Sequence, residues 1–243
     1  MAKTKNIQNA NDRFDPRPWL IGIAVILAVG MLLFAYYEFI WSKNNSSDYE
    51  EFSKVSDGII ENKETGLRYF ELSGSYEARY RVTNTCYGKL GKTNLYQLAY
   101  KDSKGNAEAV SGELYLALSP EDGGKVYAAE TQSAPTLDGF KTSTVYVCTD
   151  IKDELVAAIT SFSGSDATAL VNEYLAKEKY EGEGNPYETY RLRLISDSCG
   201  WLYYVLYLVR CDNGDYYIYG VDDRTGYAVE STRFHSSLGG AVN

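Results

Sequence analysis

The chain has 243 residues and is acidic, with 24 lysine and arginine residues against 33 aspartate and glutamate residues and a net charge of −9. Such a charge repels the phosphates of nucleic acids and of anionic lipids, so the composition argues against nucleic-acid binding. The 23 tyrosines favour β-strands. After the first apolar segment about 200 residues follow, which suffices for one good hydrophobic core or two small ones.

The first organised stretch is an uncharged run that begins at Pro18 and ends at Tyr37. A helix of that length covers roughly 30 Å, the thickness of the hydrocarbon layer of a bilayer. Aromatic residues, which prefer the headgroup level, flank the run at both ends: Trp19, Tyr36, Tyr37 and Trp41. We therefore predict a single transmembrane helix over residues 18–41, an uncleaved signal-anchor with the lipid bilayer as a partner.

The charges on either side of this run predict its orientation. Basic residues precede it at Lys3, Lys5, Arg13 and Arg17, whereas acidic residues predominate after it. Because basic flanks stay in the cytoplasm, residues 1–17 are expected to be a cytoplasmic tail and the C-terminal domain to be extracytoplasmic. The predicted localisation is a single-pass protein of the cell membrane.

Residues 42–60 are interpreted as a polar linker followed by a short helix, because Phe52, Val55 and Ile59 recur at helical spacing. Strand patterns dominate residues 61–149, which predict a β-rich subdomain with the form of a small meander or barrel. The predicted strands are Leu67–Leu72, Tyr76–Val82, Leu95–Lys101, Ala107–Leu118, Val126–Ala129 and Thr142–Cys148.

Residues 150–243 predict an α+β subdomain. Asp150 and Asp166 can each cap a helix, the first ending at Phe162 and the second at about Tyr180. The strands predicted after them are Thr189–Ile195, Gly200–Arg210 and Tyr216–Val221. The fold class predicted for the whole chain is α+β, with the transmembrane helix at its N-terminus.

Asn213-Gly214 predicts a two-residue type I′ turn that pairs Cys211 with Tyr216. Tyrosines near this hairpin combine an apolar ring with a polar tip, as recognition surfaces often do. They form the candidate binding surface: Tyr203, Tyr207, Tyr216 and Tyr219. The competing interpretation, which we favour for most of them, is that they pack against the two helices as core.

Four cysteines occur, none in a C-x-x-C spacing: Cys86, Cys148, Cys199 and Cys211. An even count outside the cytoplasm favours two disulfides, and the alternative is four free thiols. Cys199 and Cys211 lie at opposite ends of one predicted strand, roughly 40 Å apart, which is too far for a bridge. Each is therefore expected to pair with Cys86 or Cys148, if bridges form. A zinc site at these spacings is only weakly indicated.

Little in the sequence indicates catalysis. His235 is the only histidine, and it lies in a C-terminal segment expected to fray. Phosphate-binding glycine motifs are missing, and the aspartates around the hairpin lack the EF-hand spacing. We therefore predict no catalytic residue, no cofactor and no metal site.

The order of one helix, two strands, an Asn-Gly turn and a further strand is followed by Asp222-Asp223-Arg224-Thr225-Gly226. This pattern resembles the PepSY-type domain, a small cystatin-like unit whose last strand commonly reads V-D-x-x-T-G-x-V, although here an extra residue precedes the final valine. The resemblance covers residues 166–230 and leaves residues 61–149 without a family. It implies a secreted or membrane-tethered, non-catalytic domain that binds or restrains other proteins. Single-pass proteins with cystatin-like or NTF2-like ectodomains are also similar and often serve as scaffolds.

The predicted function is a membrane-anchored extracytoplasmic binding or scaffolding protein without catalytic activity, acting as a subunit of a membrane or envelope complex with another protein. The alternative is an envelope hydrolase that uses an unidentified carboxylate pair. A sensor that signals inward is disfavoured, because residues 1–17 hold no room for an output domain. The partner, the oligomeric state and the division of the ectodomain into one or two domains do not follow from the sequence.

Overall fold

The structure is a computed structural model that describes residues 29–31, 49–81, 86–101, 104–105, 107–110, 114–149 and 158–241. The chain divides into two compact units, Met1–Asp48 and Tyr49–Asn243. Of the first unit only residues 29–31 are described, and they are helical.

The predicted transmembrane helix over residues 18–41 has to be corrected. Among the residues that the structure describes, no helix combines the length and the apolar character needed to cross a bilayer. Apart from residues 29–31, the predicted segment lies outside the described residues, as does the predicted cytoplasmic tail. Single-pass insertion therefore has no support in the described residues.

The second unit is mostly β, which corrects the α+β prediction. The strands of the first sheet are β1 Glu50–Ser56, β2 Ile59–Asn62, β3 Arg68–Glu71, β5 Tyr80–Arg81, β6 Gly88–Leu90, β7 Thr93–Lys101, β8 Ala107–Ala109, β9 Tyr115–Leu118 and β10 Val126–Ala129. The strands of the second sheet are β4 Tyr76–Ala78, β11 Thr142–Thr149, β12 Ala158–Ser163, β13 Pro186–Ser196, β14 Leu202–Cys211, β15 Tyr216–Gly220 and β16 Tyr227–Ala228. The helices are α1 Leu137–Phe140, α2 Ser165–Ala176 and α3 Thr232–Leu238, with a 3-10 turn at Pro120–Asp122.

Seven strands of the first sheet close into a small barrel. Its strand order is β7-β6-β1-β2-β3-β10-β9, and β9 pairs back onto β7 to complete the ring. The pairing of β1 with β6 is parallel, whereas the other pairings of the ring are antiparallel. Buried apolar side chains fill the interior, among them Phe52, Ile60, Tyr69, Leu95, Leu116 and Tyr127. Of the two forms expected for the β-rich part, the structure has the barrel.

The short helix predicted within residues 42–60 is wrong, because β1 and β2 form a hairpin there. Gly58 adopts φ +71° between them, a conformation that only glycine adopts readily. Phe52 and Ile60 are both buried in the barrel core, while Val55 is half exposed. The helical spacing of the apolar residues was therefore produced by two strands joined by a tight turn.

The second sheet has the order β12-β11-β13-β14-β15-β16, with β4 paired to the first residues of β14, and all of its pairings are antiparallel. Helices α2 and α3 contribute Leu170, Tyr174 and Phe234 to the core on one face of this sheet. The same core contains barrel residues such as Tyr115 and Val126, so the two sheets share it.

The two helices predicted in this half have different outcomes. The second is confirmed as α2, although it ends at Ala176 rather than at Tyr180. The first, predicted from Asp150 to Phe162, is wrong where it is described, because residues 158–163 form strand β12. Residues 150–157 lie outside the described residues. The segment from Ile159 to Phe162 pairs with β11 and is rich in residues that favour strands.

The C-terminal segment was expected to fray, and this prediction is also wrong. Phe234 of α3 is fully buried and meets Phe162 edge to face, with ring centroids 5.5 Å apart. Arg233 donates to both carboxylate oxygens of Glu173 on α2, over 2.7 and 2.8 Å. Helix α3 is thus held to the sheet by packing and by a bidentate ion pair.

Candidate functional site

The register of the β14–β15 hairpin determines which tyrosines lie on the same face of the second sheet. Cys211 N donates to Asp215 O over 2.8 Å, which leaves a three-residue loop, and Gly214 within that loop has φ +89°. The predicted two-residue turn is therefore wrong by one position, and Tyr216 lies opposite Arg210 rather than Cys211. A three-residue hairpin loop with glycine in the left-handed conformation is a common alternative to the type I′ turn.

This shift moves Tyr216 to the helix-covered face, because side chains alternate along a strand. Tyr216 is 1% exposed, and its ring centroid lies 4.9 Å from that of Phe234. Its hydroxyl donates to Gly239 O over 2.6 Å. Tyr216 is therefore a core residue, and its assignment to the candidate binding surface is corrected.

The other three predicted tyrosines, Tyr203, Tyr207 and Tyr219, lie together on the opposite face and are half-buried. Tyr207 and Tyr219 face each other across β14 and β15, with ring centroids 5.0 Å apart and an interplanar angle of 17°. Such a stacked pair presents a flat aromatic surface of limited conformational freedom.

Charged side chains from two neighbouring strands surround these rings. Glu77 of β4 accepts a hydrogen bond from Arg191 over 2.8 Å and another from Arg193 over 2.9 Å. The guanidinium of Arg191 lies 5.7 Å from the centroid of the Tyr207 ring, and that of Arg193 lies 5.0 Å from the centroid of Tyr203. We call this surface the Tyr–Arg face and define it by Tyr203, Tyr207, Tyr219, Arg191, Arg193 and Glu77.

Each arginine of the face is therefore oriented by a carboxylate and by a ring. The side chains of both arginines are 22% exposed and that of Glu77 is 25% exposed. Burial raises the pKa of the Tyr203 hydroxyl, although the positive charges of Arg79 and Arg193 act in the opposite direction. Tyr203 consequently keeps its proton at neutral pH and can donate a hydrogen bond.

A cavity of about 210 Å³ opens beside Tyr203 at the edge of the face. Its lining includes Arg79, Tyr80, Tyr146, Cys148, Arg193 and Tyr203. A space of that size accommodates one large side chain or a small polar group.

Sequence analysis missed the charged half of this face. Arg191 and Arg193 alternate with the buried residues Tyr190, Leu192 and Leu194 along β13. Two arginines at a spacing of two, each between buried apolar residues and next to a tyrosine-rich strand, are a readable signal of a polar face. The contribution of Glu77 depends on the pairing of β4 with β14, which no local pattern indicates.

All four cysteines are free thiols in the structure, so the suggested disulfides are not formed in it. Cys148, Cys199 and Cys211 are buried, and Cys86 is half-buried. Burial raises the pKa of Cys199 to about 11, and it also raises the pKa values of Cys148 and Cys211. Groups with so little thiolate are poor nucleophiles and poor metal ligands.

The aspartates near the hairpin serve turns. Asp223 accepts from Thr225 N over 3.0 Å and from the Tyr227 hydroxyl over 2.5 Å, and these bonds lower its pKa to about 2. No group of three or more acidic, cysteine or histidine side chains within the described ranges has the arrangement of a metal site. His235 Nε2 lies 2.9 Å from Gly214 O, so that ring is bound to the hairpin loop.

No protein-family model, curated protein or solved structure matches the chain. The resemblance of residues 166–230 to a PepSY-type domain therefore stays a prediction. Helix α2 followed by β13, β14 and β15 has the order of elements on which that resemblance depends.

Proposed function

We propose that this protein is a non-catalytic binding or scaffolding module that docks another protein on the Tyr–Arg face. The single observation that carries the proposal is the pair of stacked, half-buried tyrosine rings set beside two arginines that one glutamate orients. Tyrosine and arginine are the residue types that dominate the binding energy of protein interfaces.

The face is also suited to binding because its side chains are already ordered. Glu77 holds both guanidiniums, and Tyr207 and Tyr219 restrict each other by stacking. The side chains of this face therefore lose little additional conformational entropy when a partner docks. The cavity beside Tyr203 supplies a recess for one anchoring side chain of the partner.

The charge of the face indicates the chemistry of the partner. Arg191 and Arg193 outnumber Glu77, so the face carries positive charge in a chain whose net charge is −9. Guanidinium groups bind carboxylates in a planar, bidentate geometry. The partner is therefore a protein that presents carboxylates beside an apolar or aromatic residue.

The competing hydrolase proposal lacks a specific observation in its favour. A carboxylate pair divides acid and base roles by raising the pKa of one member. Among the described carboxylates whose pKa is shifted, namely Asp57, Glu173, Asp212 and Asp223, every shift is downward. This direction favours structural roles in ion pairs and turns.

The test is quantitative affinity purification of the full chain from its native source, followed by titration of the recovered partner against purified protein. A double variant, Tyr207→Ala with Tyr219→Ala, is expected to weaken the purified complex by tenfold or more, roughly the effect of losing one strong contact. Leu175→Ala is the matched control, since Leu175 is 37% exposed on α2, which covers the other face. Equal affinity of the wild type and the double variant would refute the proposal.

A further inference from the structure

A second cavity, which shares Arg79 and Tyr80 with the cavity beside Tyr203, lies where the barrel meets the turn between β13 and β14. Its volume is about 380 Å³, within the range typical of sites for small molecules. The lining residues come from β5 and the residue before it, from β7, and from the β13–β14 turn with its flanks: Arg79, Tyr80, Tyr100, Lys101, Ser196, Asp197, Gly200 and Trp201. Backbone bonding holds the two sides together, because Arg79 N donates to Trp201 O over 2.9 Å.

Arg79 differs from the other half-buried arginines of the described chain. Arg191, Arg193, Arg210 and Arg233 each form an ion pair with a glutamate. Arg79 has no carboxylate partner within the described residues. One of its terminal nitrogens donates to Gly200 O over a long 3.5 Å, and its buried Nε, like that of Arg210, has no described acceptor. A partly desolvated guanidinium without a countercharge is costly unless something else neutralises it.

Two further donors belong to the same cavity. The buried indole Nε1 of Trp201 has no acceptor in the part of the chain that the structure describes. Lys101 Nζ lies 4.7 Å from the centroid of the Tyr80 ring, and the Arg79 guanidinium lies 5.1 Å from it. Two cations thus flank one ring, and neither forms an ion pair with a described carboxylate.

Asp197 is the one carboxylate among the lining residues. Its side chain is exposed, and it accepts a hydrogen bond from Ser143 Oγ over 3.0 Å. Water can therefore solvate it at the rim, and it does not neutralise Arg79. Lys101 is exposed as well, so the positive charge of the interior is that of the half-buried Arg79, with Trp201 Nε1 as a further donor.

We propose that this cavity binds a small aromatic carboxylate. The carboxylate lies on the Arg79 guanidinium, which offers a planar fork of donors that matches it, with the Lys101 ammonium nearby. The aromatic body lies against the Trp201 ring, with the Tyr80 ring and its two cations beside it, and apolar contact stabilises it there. None of the six residues that define the Tyr–Arg face lines this site, although the site adjoins the cavity beside Tyr203 and shares Arg79 and Tyr80 with it. Binding of a small molecule here goes beyond partner docking.

The probe is benzoate, titrated into the full chain and followed by the fluorescence of Trp201. The other two tryptophans are first replaced, by Trp19→Phe and Trp41→Phe, so that Trp201 is the only reporter. Saturable binding of benzoate is expected, at least about tenfold tighter than that of acetate or inorganic phosphate, which lack the ring. Absence of saturable binding, or equal affinity for the three anions, would overturn the proposal.

Variants locate the binding in the cavity. Arg79→Gln is expected to weaken benzoate binding by about tenfold or more, whereas Asp197→Asn, which removes a nearby negative charge, strengthens it by about twofold to fivefold. Arg224→Gln, at an exposed arginine, is the control and leaves the affinity unchanged. If Arg79→Gln does not fold, Arg79→Lys replaces it, and the loss of the planar fork still weakens binding. Unchanged affinity for benzoate in the folded Arg79 variant contradicts the proposed site. The Tyr207 and Tyr219 variants test partner docking independently.

Discussion

Two tyrosines on the same strand, Tyr216 and Tyr219, are expected to lose different amounts of stability on truncation because they point to opposite faces of the sheet. Tyr216 is 1% exposed and contacts Phe234, so Tyr216→Ala leaves a cavity in the core. Aromatic-to-alanine changes in cores cost about 3–5 kcal/mol of the free energy of unfolding. Tyr219 is half-buried and stacks on Tyr207, and losing such a pair costs about 0.5–1.5 kcal/mol beyond the loss of buried apolar area. These figures differ by about 1.5–4.5 kcal/mol, which is an upper bound on the expected difference, because Tyr219→Ala also loses part of its buried area.

Equilibrium urea unfolding of the full chain measures this difference directly. Tyr216→Phe separates the hydroxyl from the ring, and it should cost about 1 kcal/mol, because Gly239 O loses the hydrogen bond that the hydroxyl donates. If Tyr216→Ala were no more destabilising than Tyr219→Ala, the three-residue hairpin loop and the resulting assignment of faces would be refuted.

Three further outcomes follow from the ion pairs and the thiols. Glu77→Gln removes the carboxylate charge that pairs with Arg191 and Arg193, and it is expected to lower the free energy of unfolding by about 1–3 kcal/mol. An unchanged urea midpoint would count against the network. Although burial acts to raise it, hydrogen bonds from Arg233 and from Glu230 N hold the pKa of Glu173 below its usual value. The stability that this pair contributes is therefore present above about pH 4.5 and is lost as the pH falls further. In unfolding curves measured over a pH series, Glu173→Gln should reduce the dependence of the free energy of unfolding on pH in this range. A thiol reagent should modify Cys86 first in the folded chain and the three buried cysteines only on unfolding. If the unfolded chain, without prior reduction, has fewer than four reactive thiols, a disulfide is present.

Local patterns predicted those elements whose signals lie within the element itself. Val126–Ala129 was predicted with the bounds that β10 has, and α2 was predicted from its apolar stripe. The expected cap at Asp166 is wrong, because the N-cap of α2 is Gly164 and Asp166 lies within the first turn. The β14 strand was recognised because apolar residues occupy both of its faces. Each of these predictions used residues that lie within one element of the sequence.

Features that depend on distant pairing could not be predicted. The parallel pairing of β1 with β6 and the closure of β7 onto β9 join segments with no shared local signal. Asn213-Gly214 is compatible with a two-residue and with a three-residue loop, and the choice between them moved Tyr216 into the core. The Tyr–Arg face was therefore found in part from its tyrosines, whereas Glu77 joined it only through the tertiary fold.

Site-specific photo-crosslinking tests the docking role of the Tyr–Arg face most directly. A photoreactive phenylalanine analogue replaces Tyr207 in one version of the full chain and Leu175, on the helix-covered side, in another. On irradiation in the native cells, we expect one discrete protein adduct from position 207 and none from position 175. An adduct formed equally from both positions, or formed from position 175 alone, would refute docking on this face.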